Sequence, residues 1–233
     1  SSPLGMAPAS PLSGPLQGKM ILAPLTRGGN LPFRRLCADF GMEVSFGEMV
    51  FARNLLKHND LIEHARLRRA ANEQFFGVQI ATNDIEEGIG AAKLAAEAGA
   101  DFVDLNCGCP IHEATRRGLG SALLRKPKRL ASLVEALVGG SPLPVSVKVR
   151  TAAEGGEINI RENAAGLFDA GAAALTIHGR TAQDRYTKAA DWDLIAEVVR
   201  DGRSHPSGCP VVGNGDLLTE WDARRRMAES GVD

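Results

Sequence analysis

The sequence predicts an α/β fold, a parallel (β/α)8 TIM barrel that stops after about seven of its eight units. Three observations carry this expectation. Short apolar runs alternate with amphipathic stretches from residue 20 onward, several of those stretches carry helix punctuation, and polar residues gather at the carboxyl ends of the strands. Seven βα units in series imply a parallel sheet, one unit short of a closed barrel of roughly 250 residues.

The first 18 residues are rich in Ser, Pro, Gly and Leu and read as a disordered linker ahead of one barrel domain, residues 19–233. They lack the basic start and continuous apolar core of a signal peptide. Strands are then expected at Met20 to Leu25, Val44 to Met49, Phe75 to Ile80, Phe102 to Cys107, Val145 to Arg150, Ala174 to Gly179 and Val211 to Asp216. Each is followed by a helical pattern: Pro32 to Phe40, Asp60 to Ala70, Ile85 to Ala98, Pro127 to Val138, Ile160 to Ala170, Asp191 to Arg200 and Thr219 to Ser230. Asn83-Asp84 opens one helix, and Gly99 and Gly171 close two others. The final Gly231-Val232-Asp233 resembles the lead-in to an eighth strand.

Composition sets limits. With 233 residues and 44% apolar content the chain can bury one sizeable core, and a net charge of -1 advertises no global basic field. Locally, Arg116, Arg117, Arg125, Lys126, Lys128 and Arg129 stand against Glu113 alone between His112 and Leu130. That stretch reads equally as a solvated helix face or as a surface for an anionic partner. Cys37, Cys107, Cys109 and Cys209 form no C-x-x-C pair and no close Cys/His set, so no metal site is expected. Few cysteines in a chain of this length suit a reducing compartment, cytoplasmic or nuclear, and no apolar run approaches a membrane span.

The most informative segment is Asp104-Leu105-Asn106-Cys107-Gly108-Cys109-Pro110, where a strand runs into a cysteine held between glycine and proline. Gly108 allows a sharp exit and Pro110 biases Cys109 toward extended backbone, so local geometry aims the thiol. Taken alone, Cys109 reads as readily as a buried structural cysteine. Strand parity adds to the argument. In Val145 to Arg150 the valines share one face, while Ser146, Lys148 and Arg150 point into the barrel; Gln79, Asn106, His178 then Arg180, and Asn214 follow the same rule. Burying an unpaired ammonium costs several kcal/mol, so this polar ring is best explained by a polar or anionic ligand at the catalytic rim.

These residues resemble the tRNA-dihydrouridine synthases, a family of flavin-dependent barrel enzymes. The matching segments are Ala23-Pro24-Leu25, Leu31 to Arg34, Gly47 to Met49, Phe76 to Gln79, Asp104 to Pro110, Val147 to Thr151, His178 to Thr181 and Gly213 to Asp216. Gly28 to Pro32, Asn54 to Leu56 and Arg185 to Trp192 look like the eukaryotic branch that reduces uridine 47 of tRNA. His112 and Leu119 stand where that branch carries Asp and Gly.

The resemblance implies an oxidoreductase that uses FMN, with NADPH or NADH as reductant, to turn a tRNA uridine into 5,6-dihydrouridine. It places Ala23, Pro24, Gln79, Lys148, His178, Asn214 and Gly215 at the cofactor, Cys109 as proton donor, and Asn106, Arg180, Arg116 and Arg117 at the tRNA substrate. It also implies an eighth strand and a C-terminal helical domain, absent from these residues, and a monomer in the complete form. Two rival readings are an FMN barrel acting on a free pyrimidine, in the manner of dihydroorotate dehydrogenase, and a non-catalytic RNA-binding remnant.

Overall fold

A computed structural model describes residues 9–57, 60–184, 186 and 188–233. Its centre is a curled parallel sheet of β1 Ile21–Leu22, β2 Val44–Phe46, β3 Val50–Phe51, β4 Phe75–Ala81, β5 Phe102–Cys107, β6 Val145–Arg150, β7 Ala174–His178 and β8 Val211–Asn214. The order is β1-β2-β4-β5-β6-β7-β8, with β3 also on β4. Helices run before, between and after the strands: α1 Ser13–Leu16, α2 Leu31–Asp39, α3 Ala52–Leu55, α4 Leu61–Arg66, α5 Ile85–Glu97, α6 His112–Thr115, α7 Pro127–Gly140, α8 Ile160–Asp169, α9 Trp192–Arg203 and α10 Glu220–Ser230. This is the expected barrel wall, open between β1 and β8, which among the described residues each have one neighbour.

The strand limits follow from local chemistry. β5 and β6 span the expected residues, whereas β1 is two residues long because Pro24 has no N–H for the ladder. The second expected strand, Val44 to Met49, stops at Phe46, and a separate β3 follows it; Glu48 between β2 and β3 turns to Arg66 at 3.2 Å. Helix starts are capped as side-chain chemistry requires: Asp84 accepts from Glu87 N, Asp191 from Leu194 N, and Thr219 forms a capping box with Asp222.

Parity divides the core in two. Val78, Ile80, Val103, Leu105, Cys107, Val147, Val149, Leu175 and Ile177 face outward and pack with Leu133, Val134, Leu137, Leu167 and Ile195 of the helices. The inward face is apolar only in its lower layer, where Val44, Phe46, Phe102 and Ala174 meet. Phe102 lies edge-on to Phe46 at 5.1 Å and stacked on Phe75 at 5.3 Å. A Cβ on Gly77 would sit 2.3 Å from the Phe102 ring, so only glycine leaves room for it.

One expectation is corrected. Residues 1–8 lie outside the described residues, but 9–18 are not a disordered linker: they carry α1, Ser13–Leu16. Leu12 and Leu16 are 1% and 2% exposed and join the lower layer, stopping the barrel floor. Full burial of a leucine is worth about 1.5–3 kcal/mol, which outweighs the Ser/Pro/Gly composition that suggested a linker.

A buried ion pair fixes the chain between β1 and α2. Arg34, 1% exposed, meets Glu73 at 2.8 Å and also donates to the carbonyls of Gly29 at 2.8 Å and Arg68 at 2.6 Å. Glu73 in turn accepts from Ser45 Oγ and Ala70 N, both at 2.6 Å, so the charges are paired and the remaining lone pairs used.

Candidate active site

Above the apolar floor, the inward positions of β4 to β8 become polar. Register places Gln79 opposite Asp104, Asn106 opposite Lys148, Arg150 opposite His178, and His178 opposite Asn214. Lys148 Nζ donates to Asn214 Oδ1 at 3.0 Å, its only hydrogen bond among the described residues. Loss of hydration draws its pKa down to about 8, countered in part by Asp104, so it stays an ammonium at neutral pH. Lys148, Asn214, Ala23 and Pro24 line one cavity of about 310 Å³, shared with Phe46, Trp192 and Leu217 at the gap between β1 and β8.

Gln79, His178 and Gly215 are not among the residues that line this cavity: His178 and Gly215 adjoin Asn214, and Gln79 is held by Asp104 and Asn106. Gly215 adopts a φ of 121°, and a Cβ there would meet Ala190 at 2.7 Å and His178 Cδ2 at 3.2 Å. Burial, then Arg150, Lys148 and Arg180, bring the His178 pKa down to about 3, so its imidazole is neutral. Its Nε2 faces Arg180 NH1 at 3.3 Å, and because a guanidinium only donates, Nε2 accepts and the proton rests on Nδ1.

Cys109 is half-buried at the mouth, against a small cluster of Met49, Ala81, Ala114 and Leu119. Burial raises its pKa; the backbone N–H of Ile111 and the charges of Arg150 and Lys148 pull the other way without reversing the shift. The group is therefore a thiol at neutral pH, as a proton donor must be. Cys107 lies fully buried on the outer face.

The remaining expected residues fall in two places. Arg180, 3% exposed, is committed within the chain: Nε donates to Lys188 O at 2.5 Å, NH2 to Asp216 at 2.6 Å, and NH1 faces His178. Arg116 and Arg117 lie on the outer rim beyond α6, His112–Thr115. Arg116 pairs with Glu113 at 2.7 Å and Arg117 lies over the Phe51 ring at 4.9 Å. Arg116, His112, Arg125 and Lys126 border a surface groove there. The Arg185 and Thr187 of the matching segment lie outside the described residues.

Two site residues were missed as such. Asp104 is fully buried between Gln79 and Ser146, with its pKa pushed up to about 6 by burial. Arg150 donates to Thr181 O at 2.8 Å and acts electrostatically on Cys109. Parity had already turned Arg150 inward without giving it a role, and the same rule reaches Asp104, two residues before Asn106.

The described residues hold no group of His, Cys, Asp and Glu arranged for a metal ion, and no helix is long and apolar enough to cross a membrane. Comparison with known families matches residues 21–233 to the dihydrouridine synthase model. The chain belongs to the dihydrouridine synthase family.

Relatives of the family extend the match. A protein of Oryza sativa named tRNA-dihydrouridine(47) synthase-like is 42% identical over 207 residues, 88% of this chain and 30% of its own length. A Homo sapiens protein so named is 39% identical over 219 residues, 93% of this chain and 33% of its own length. This chain thus spans about a third of the curated relatives it matches. Among solved structures, a 2-naphthoyl-CoA reductase superposes with a TM-score of 0.63 at 12% identity, over 92% of this chain and 46% of that one. A 6-hydroxypseudooxynicotine amine oxidase from Pseudomonas geniculata gives 0.61 at 12%, over 92% and 44%. At that identity the likeness concerns the fold.

Proposed function

We propose that the protein is an FMN-dependent tRNA-dihydrouridine synthase that uses NADPH or NADH and acts on uridine 47. The observation that carries this is Cys109, kept as a thiol at the mouth of a barrel whose interior holds the Lys148 ammonium. The names of the eukaryotic relatives support the choice of uridine.

The residues fit a flavin. Lys148 makes one bond to Asn214 and has two further hydrogens for an anionic or carbonyl edge; Ala23 and Pro24 form an apolar wall, and the backbone turns at Gly215. When bound, FMN supplies the hydride chemistry that links a nicotinamide to a pyrimidine. Lys148 would hold the ring's N1/O2 side, where reduction places negative charge, Gln79 its polar edge, His178 the ribityl region, and Asn214 with Gly215 the phosphate end.

Cys109 would deliver its proton to C5 of the uracil, and the positive charges of Arg150 and Lys148 would stabilise the thiolate left behind. Asn106 would contact the flipped base. Arg180, held by Lys188, Asp216 and His178, would turn its remaining N–H groups to the base, and Arg150 would stand as a second basic neighbour of the uracil. Outside the mouth, Arg116, Arg117, Arg125 and Lys126 would face tRNA phosphates. The complete enzyme is proposed to be a monomer of the cytoplasm or nucleus.

The test is to purify the complete protein, record its flavin spectrum, and map dihydrouridine in unmodified tRNA after incubation with NADPH. Yellow protein that modifies position 47 is expected. A colourless, flavin-free protein that still formed dihydrouridine would sink the cofactor assignment, and a modified uridine elsewhere would sink the position.

A further inference from the structure

A series of hydrogen bonds runs through buried side chains from β6 to the catalytic turn. Ser146 Oγ donates to Asp104 Oδ1 at 2.7 Å, and Gln79 Nε2 donates to Asp104 Oδ2 at 2.7 Å. Asn106 Nδ2 donates to Gln79 Oε1 at 2.8 Å. Asn106 Oδ1 then accepts from Cys109 N at 2.9 Å and from Gly108 N at 3.2 Å. Asp104, Gln79, Asn106 and Ser146 are all 7% exposed or less.

Both ends of the series demand the same polarity. Backbone N–H groups only donate, so Asn106 must turn its oxygen to the Gly108–Cys109 turn and its nitrogen to Gln79. Gln79 must meet that nitrogen with its oxygen, which sends its own nitrogen to Asp104. A carboxylate only accepts, so Asp104 closes the series without conflict. Were residue 104 unable to accept, Gln79 would be free to reverse, set nitrogen against nitrogen at Asn106, and loosen the turn that aims the thiol. A strand position filled for packing alone has no use for an ionisable group, which must be stripped of water to sit there.

We propose that Asp104 is a positioning residue for Cys109: its carboxylate sets the amide orientations of Gln79 and Asn106, and through them holds the Asn106–Cys109 turn. The relay is a property of the fold; its catalytic meaning rests on the reading of Cys109 as proton donor.

The experiment measures alkylation of Cys109 by iodoacetamide across pH, with fragment-ion mass spectrometry to separate Cys109 from Cys107, alongside thermal unfolding. Asp104→Ala and Gln79→Met, which interrupts the relay without changing charge, should each raise the Cys109 rate by about tenfold as the turn loosens. Asp104→Asn can still offer an oxygen to Gln79 and its nitrogen to Ser146, and should remain within about threefold of the parent. Should Asp104→Ala fail to fold, Gln79→Met and Asn106→Ala carry the same expectation. Folded variants that melt lower yet leave the Cys109 rate and pH profile unchanged would make Asp104 a packing residue and overturn the proposal. Equal acceleration in Asp104→Asn and Asp104→Ala would overturn it too. Alkylation needs neither flavin nor tRNA, so its failure removes the relay alone, whereas absence of dihydrouridine formation by the parent enzyme removes the proposed function alone.

Discussion

Lys148 reaches Asn214 at 3.0 Å across the sheet, although their strands, β6 and β8, are separated by β7. The bond spans the cavity wall and fixes a positive charge in a place poor in water. Lys148→Met should therefore slow flavin reduction by NADPH about 10- to 100-fold in the complete enzyme, the scale of losing one fixed electrostatic partner. Stopped-flow absorbance would show it, and an unchanged rate with flavin still bound would remove Lys148 from the redox step.

The two cysteines of the β5 end should behave differently. Cys109→Ala removes the proton donor and should cut dihydrouridine formation by about 10² or more while flavin reduction stays near normal. Cys107→Ala sits on the outer face in the apolar core and should cost only about 1 kcal/mol of stability, with little change in turnover. Equal losses in single-turnover assays would show the faces to be exchanged.

Acid titration should reveal opposing groups in the interior. His178 titrates near 3 in the folded chain, below its unfolded value near 6.5, so the unfolded state binds more protons between those limits and His178 makes stability rise with pH there. Asp104 is raised to about 6 from about 3.8, so its contribution is present at low pH and is lost as pH rises through 6. The two partly cancel between about pH 4 and 6. Asp104→Asn should steepen the rise in stability across that window, and His178→Gln should turn it into a decline. Denaturant midpoints measured from pH 4 to 7 would decide, and parallel curves for all three proteins would refute the titration assignments.

Arg34→Ala should destabilise the fold by about 3–5 kcal/mol, because it leaves the Glu73 carboxylate buried without its partner. Replacing the pair together, Arg34→Met with Glu73→Leu, should recover much of that loss. A double variant no more stable than the single one would mean that the pair's hydrogen bonds to Gly29 and Arg68 matter more than its charges.

Outside the barrel mouth, Arg116→Ala with Arg117→Ala should weaken tRNA binding and flatten its salt dependence without altering flavin content. Filter binding over a range of salt would measure the slope. An unchanged slope would return both arginines to their contacts with Glu113 and Phe51.

The barrel wall was legible because its signals are local. Valines of β6 at every second position and the punctuation at Asn83-Asp84 and Gly99 predict strands and helices whose core limits the structure reproduces. The inward set Gln79, Asn106, Lys148, His178 and Asn214 follows from the same period of two. What local pattern could not give was connectivity at a distance. Parity turns Arg180 inward after His178, but the partners that hold it, Lys188 and Asp216, lie 8 and 36 residues away. Asp104 reads as one letter of a motif until Ser146, 42 residues on, and Gln79, 25 residues back, are seen to share its carboxylate.

The helix that stops the barrel floor also bears on the order of folding. Ser10 Oγ bonds to the carbonyl of Ala173 and Ser13 Oγ to that of Gly208, 163 and 195 residues along the chain. The surface that receives Leu12 and Leu16 exists only once β2, β5 and β7 have come together. Contacts of such separation carry the greatest loop-closure cost and are gained late. The described residues that leave the ribosome first are therefore among the last to dock, and must wait, apolar side chains uncovered, until nearly the whole wall has been made.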